Sequence, residues 1–296
     1  MKRHHALATW MGAVVGTVLA LFLAQGHASD QRAFTEEFHH TYPLPANGRV
    51  DLSNINGAVR ITGWDRNEVK VDAVKYAGTR QRLDEAKIRV DAGGTLIEIH
   101  TDYPDHNLTF NDDDRDNPAG VDYTLTVPRN ARMDEIKLIN GELTISGVSG
   151  EVHASSVNGR VSASDLAGRT RLSTVNGRLA AQFAALPNDS ASMHLSSVNG
   201  GIDLTLPPDA RAEIEASTVH GGIGNDFGLR AIRHEYVGHS LHGELGGGGP
   251  RIRLSNVNGR IEIRSSSGKT TASVRDLSGD HEDDRASSDD DDDDNN

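Results

Sequence analysis

A short phrase returns seven times along this 296-residue chain, and no other feature constrains the fold as strongly. It reads SNINGAVRI from Ser53, LINGELTI from Leu138, SSVNGRVSA from Ser155 and STVNGRLAA from Ser173. It continues as SSVNGGIDL from Ser196, STVHGGIGN from Ser217 and SNVNGRIEI from Ser255. The anchoring glycines are Gly57, Gly141, Gly159, Gly177, Gly200, Gly221 and Gly259, spaced by 84, 18, 18, 23, 21 and 38 residues. Self-similarity of this kind marks stacked units, each covering its neighbour's apolar edge.

Three columns of the phrase are apolar in all seven copies. Two after the glycine stand Val59, Leu143, Val161, Leu179, Ile202, Ile223 and Ile261; five before it stand Leu52, Ile136, Ala154, Leu172, Leu195, Ala216 and Leu254. Two before it stand Ile55, Ile139, Val157, Val175, Val198, Val219 and Val257. Steps of two, as in Leu143 to Ile145, are the strand period. The step from Leu172 to Val175 is odd, so placing both inside requires a change of phase between them, at a corner or bulge.

Asn-Gly is a turn signal, since both residues tolerate positive φ. Strands of three to five residues repeating near 18 cannot bury two faces as a simple meander, whereas stacked coils can. The expected fold is therefore all-β, with a parallel β-solenoid (β-helix) of short irregular coils over 134–268 and a β-rich segment before it over 49–133. Asn140, Asn158, Asn176, Asn199 and Asn258 are expected to stack as an amide ladder, supported by Gly141, Gly159, Gly177, Gly200, Gly221 and Gly259. His220 replaces one asparagine. The 38-residue step has room for two coils, including the Gly-rich stretch 238–250. In the front segment, stretches such as EVKVDAVKY alternate as strands do, and RQRLDEAK from Arg80 predicts a short helix.

The ends read differently. Residues 1–28 combine Lys2 and Arg3 with the apolar run Ala6–Ala24 and a small-residue site ending at Ala28, which predicts an export signal cleaved after Ala28 and a periplasmic or cell-surface protein. An uncleaved anchor is the alternative. Residues 29–48 are read as a linker. The stretch 269–296 is read as a disordered acidic tail, because ten acidic residues and one arginine between Asp280 and Asn296 repel one another. Weak divalent-cation binding is the most such a tail offers.

The absence of cysteine removes disulfides, thiolate metal sites, a cysteine nucleophile and a lipid anchor on cysteine. A formal charge of −13 argues against nucleic acid as partner.

The phrase NGAVRITGW (Asn56–Trp64), the strand end LTVP (Leu125–Pro128) and the STVNGR-type units together resemble the bacterial putative-adhesin family of β-strand-repeat proteins, a domain of unknown function. The resemblance covers 49–266. It implies a right-handed β-helix of exported envelope proteins and no catalytic residues.

Candidate chemistry is thin. His234, His239 and His242 surround a phrase like the zinc motif HExxH, but the spacing is one too long to share a helix face. Asp112, Asp114 and Asp116 open like a calcium loop, yet Asn117 and Tyr123 stand where Gly and the bidentate Glu are required. Arg160, Arg178 and Arg260 follow the repeat glycines and form either a basic stripe or pairs with nearby carboxylates. No catalytic site, cofactor or metal site is assigned. The expected function is that of a non-enzymatic structural or adhesive element of the cell envelope, with an envelope polymer or protein as partner. The alternatives are a β-helix polysaccharide-active enzyme and a periplasmic stress or ligand sensor.

Overall fold

The computed structural model describes residues 32–103, 118–187, 192–235, 237–268 and 272–277. The expected export signal, Asp112, Asp114, Asp116 and the acidic run from Asp280 lie outside the described residues.

The chain opens with β1 (Phe34–Pro43), β2 (Arg49–Asn56), β3 (Val59–Trp64) and β4 (Glu68–Ala77). Helix α1 (Arg80–Glu85), capped by Thr79, leads to β5 (Lys87–Gly93), β6 (Leu96–Asp102) and β7 (Gly120–Pro128). Then come β8 (Arg132–Asn140), β9 (Leu143–Ser146), β10 (Val152–Asn158), β11 (Val161–Leu166), β12 (Thr170–Asn176) and β13 (Leu179–Phe183). The later strands are β14 (Ser192–Asn199), β15 (Ile202–Leu206), β16 (Ala212–His220), β17 (Ile223–Asn225) and β18 (Ala231–Arg233). They end with β19 (His239–Leu245), β20 (Arg251–Asn258), β21 (Ile261–Ser265) and β22 (Val274–Asp276).

The described residues form two large mixed sheets. The smaller runs β1-β4-β7-β3-β9-β11-β13-β15-β21-β17; the larger runs β18-β19-β16-β20-β14-β12-β10-β8-β2-β6-β5, with β22 also on β19. Each repeat phrase carries the chain from the larger sheet to the smaller one through its Asn-Gly corner. Neighbouring repeats pair in parallel, so Ser155 faces Ser173, Ser173 faces Ser196, Ser196 faces Ser255 and Ser255 faces Ser217.

Alternation puts one face of every strand inside. Leu52, Ile136, Leu172, Leu195 and Leu254 from the larger sheet meet Val59, Leu143, Val161, Leu179, Ile202 and Ile261 from the smaller one, all at most 1% exposed. Each such side chain contributes roughly 1.5–3 kcal/mol of burial free energy. One core runs from Leu44 to Ile263, shared by the front segment 49–133 and the repeats 134–268.

Four expectations are corrected. The supposed linker 29–48 contains β1, which pairs antiparallel with β4 over ten residues and packs Phe38 and Tyr42 on the core. The supposed tail 269–296 contains β22, held on β19 by pairs such as Glu244 with Arg275. The 38-residue step makes no two extra coils, because β19 pairs antiparallel with β16 and closes that side of the repeats. The last repeat, β20 and β21, lies instead between β14/β15 and β16/β17.

The fourth correction concerns the column two before the glycine. Ile55, Ile139, Val157, Val175, Val198, Val219 and Val257 are 36–42% exposed and face outward. No phase shift occurs before them. The inward position is taken by the residue three before the glycine, namely Asn54, Leu138, Ser156, Thr174, Ser197, Thr218 and Asn256, all at most 3% exposed. Most of the polar groups are tolerated there because backbone carbonyls at or beside the corners accept their hydrogen bonds. Asn256 Nδ2 donates to Gly200 O at 2.8 Å, Thr218 Oγ1 to Gly259 O at 3.1 Å, and Asn54 Nδ2 to Val121 O at 2.9 Å.

The corner itself demands glycine. Gly159 has φ +147°, and a Cβ there would collide with the carbonyl oxygen of Gly141 in the neighbouring repeat. Gly221 differs from the other six corner glycines in lacking a positive φ, yet it too lies against a carbonyl, that of Gly259.

Candidate binding face

Four parallel rows line the outer face and corner of the larger sheet. Across β2, β8, β10, β12, β14, β20 and β16 runs the aliphatic row Ile55, Ile139, Val157, Val175, Val198, Val257 and Val219. Six strand spacings make this stripe roughly 29 Å long. β-Branched side chains suit an exposed strand position, but their exclusive use also produces a continuous apolar line. At the β2 end the stripe runs into an apolar hollow of about 240 Å³ that includes Ile55, Tyr103, Pro118 and Ala119.

Beside the stripe stands the amide ladder. Asn140 Nδ2 donates to Asn56 Oδ1 at 2.9 Å, Asn158 to Asn140 at 2.9 Å and Asn176 to Asn158 at 2.9 Å. Asn199 donates to Asn176 at 2.9 Å and Asn258 to Asn199 at 2.8 Å, so every donor points the same way. Asn56, which the sequence reading left out, forms the sixth rung. Ser156 Oγ, in contrast, is buried and has no partner among the described residues. His220 faces Asn258 in register beyond the last amide pair. Asn140, Asn158, Asn176, Asn199 and Asn258 are all exposed. The serine row (Ser155, Ser173, Ser196, Ser255) flanks the stripe on its other side.

Farther from the corner, six residues before each glycine, the sheet carries charge. The row reads Asp51, Glu135, His153, Arg171, His194, Arg253 and Glu215 across the strands, ending with His242 on β19. Its acidic end raises the Asp51 carboxyl above the usual range, through burial first and then the charges of Asp134, Glu135 and Glu98. Its basic middle lowers His194, through burial first and then Arg171 and Arg253. Arg171, Ser192, Met193, His194, Arg251 and Arg253 line an open groove of about 520 Å³ there. Arg253 forks onto Glu215 at 2.8 and 3.1 Å, and Arg251 Nε reaches Glu213 at 3.1 Å. This groove was missed because its residues come from separate repeats. Reading the sixth column before the glycine would have revealed it.

The other sequence candidates disperse. His234 Nε2 lies 2.9 Å from Ser240 Oγ, and His242 Nε2 lies 3.0 Å from Glu213 Oε1. His239 shares the inward phase of Leu241 on β19, opposite to His242, and its Nδ1 is buried without a partner among the described residues. The three histidines do not converge, and no cluster of three metal-ligating residues occurs among the described residues. The arginines after the corners do not form a uniform stripe: Arg178 pairs with Asp203 and Arg260 with Glu262.

No family model matches the sequence, and no curated protein matches it. Solved structures do. The chain is similar to a "putative cell adhesion protein" from Clostridium sporogenes at 12% identity, covering 78% of this chain and 100% of that one, with a TM-score of 0.44. It is similar to a "putative adhesin" from Bacteroides fragilis at 13% identity, covering 78% and 97%, with a TM-score of 0.32. It is also similar to a "putative lipid binding protein" from Parabacteroides distasonis at 9% identity, covering 79% and 98%, with a TM-score of 0.29.

Proposed function

We propose that this chain is an exported, non-enzymatic binding protein of the bacterial cell envelope, holding an envelope polymer or protein along the ladder face of its larger sheet. The observation that carries this reading is the exposed aliphatic stripe from Ile55 to Val219 beside the asparagine ladder. Large exposed apolar stretches rimmed by polar rows are typical of interaction surfaces. The family reading, the right-handed β-solenoid and the periplasmic or surface location belong to the same proposal. Its support is the parallel pairing of successive repeats, the usual right hand of parallel crossovers, and the apolar run with a small-residue site at Ala28.

The test is a photo-crosslinking residue placed at Val175 in the full chain, expressed in a native envelope. Envelope material attached at Val175, and absent from the same probe placed inside at Leu172, is the expected result. Labelling no greater at Val175 than at Leu172 would overturn the face assignment.

A further inference from the structure

We propose that the groove formed over β12, β14 and β20 binds an acidic polysaccharide, a linear chain of sugars that carry carboxylates. This rests on the binding-face reading and adds a location and a ligand class to it. Three guanidiniums, Arg171, Arg251 and Arg253, meet here on a chain whose overall charge is −13. Among the described residues their carboxylate partners stand on one side only. Glu213 and Glu215 reach Arg251 and Arg253 from β16, whereas Arg171, across His194, has no ion pair among the described residues. Guanidinium forks match carboxylates in geometry as well as charge.

His194 stands in register between Arg171 and Arg253, and among the described residues no carboxylate pairs with it. Beyond those two lie His153 on β10 and Glu215 on β16. Basic groups on adjacent strands repel one another, and an anion lying across them relieves that cost. Burial together with both arginines keeps the imidazole neutral at neutral pH, leaving a ring N–H and a lone pair for hydroxyl groups. Ser192 adds a hydroxyl at the groove, and Ser173, Ser196 and Ser255 follow in the next row toward the stripe. Cations mixed with neutral hydrogen-bonding groups suit a sugar acid better than a bare phosphate chain.

The test titrates the full chain with polygalacturonate, with dextran and inorganic polyphosphate as comparison polymers. Polygalacturonate is expected to bind, more weakly at high salt, and dextran is not. Arg171→Gln and Arg253→Gln should each weaken binding about tenfold, the usual scale for a charge-assisted hydrogen bond. Arg160→Gln, at a corner outside the groove, should leave it unchanged. The His194 imidazole, followed by NMR, should titrate at higher pH when polygalacturonate is bound. Equal losses for Arg160→Gln and Arg171→Gln, or polyphosphate binding as tightly as polygalacturonate, would overturn the proposal. Absence of polygalacturonate binding while Val175 still crosslinks to envelope material would overturn this inference alone.

Discussion

Asn176 Nδ2 donates to Asn158 Oδ1 at 2.9 Å across two parallel strands, and both amides remain exposed to solvent. Asn176 also accepts from Asn199, whereas Asn258 at the end of the ladder makes one such bond. Water competes for exposed amides, so Asn176→Ala should cost about 1 kcal/mol and Asn258→Ala about half that. Denaturant midpoints of the two variants measure the difference, and equal negligible shifts would remove the ladder's role in stability.

The reversal of the valine column sets up a paired substitution. Leu172→Asp places an unpaired carboxylate at a position that is 0% exposed, and should cost more than about 4 kcal/mol and abolish soluble expression. Val175→Asp, three residues on, should cost about 1 kcal/mol or less, chiefly through lost strand preference. Soluble yield and unfolding midpoint decide. A Val175→Asp variant as damaged as Leu172→Asp would mean that the face is covered.

Corner geometry makes a third prediction. Gly159→Ala forces a Cβ against the Gly141 carbonyl at a φ of +147° and should destabilise by about 3 kcal/mol. Gly222→Ala meets no atom within 4 Å and should be nearly neutral. Thermal unfolding of the pair gives the comparison.

The edge strand β1 should respond to pH through His39, whose Nδ1 lies 2.7 Å from Asp72 Oδ1 on β4. Asp72, and then Glu37, raise the His39 pKa above its ordinary value. A raised folded-state pKa means that the stabilisation is complete below the ordinary histidine value and disappears as pH climbs through the folded one. Amide exchange along β1, corrected for its intrinsic pH dependence, should therefore be less protected at about pH 8.5 than at about pH 5.5. His39→Ala should abolish that difference while leaving exchange in β12 unaltered.

Much of the architecture is readable from apolar spacing, and the misreadings have definite causes. Leu172 and Leu195 announce themselves because their neighbours in sequence are polar. Thr174 and Val175 mislead because each violates the usual rule in a compensated way. Thr174 is buried, with its hydroxyl directed at the Gly159 carbonyl, and Val175 is exposed within an aliphatic row. Strand β1 escaped notice because FTEEFHHTYP has no clear alternation; its partner β4, reading EVKVDAVKYA, supplies the regularity. The groove around His194 is invisible to any local window, since Arg171 and Arg253 stand 82 residues apart in the chain and become neighbours of one strand only through the stacking.

The position of the last repeat has a consequence for the order of assembly during synthesis. Strands β8 to β15 can be laid down as they emerge, each on the edge left by its predecessor. Strand β16 cannot, because its parallel partner is β20, made some thirty residues later, and β20 must also seat against β14. Until residues 251–258 arrive, the edge of β14 and the flank of β16 both wait with unpaired backbone groups. Closure of this end is thus a late, all-at-once event that depends on a distant piece of chain, the kind of long-range pairing that slows folding. A ribosome-bound chain halted before Arg251 would hold an ordered front half beside an open sheet edge, a natural point for a chaperone to grip or for two nascent copies to stick together.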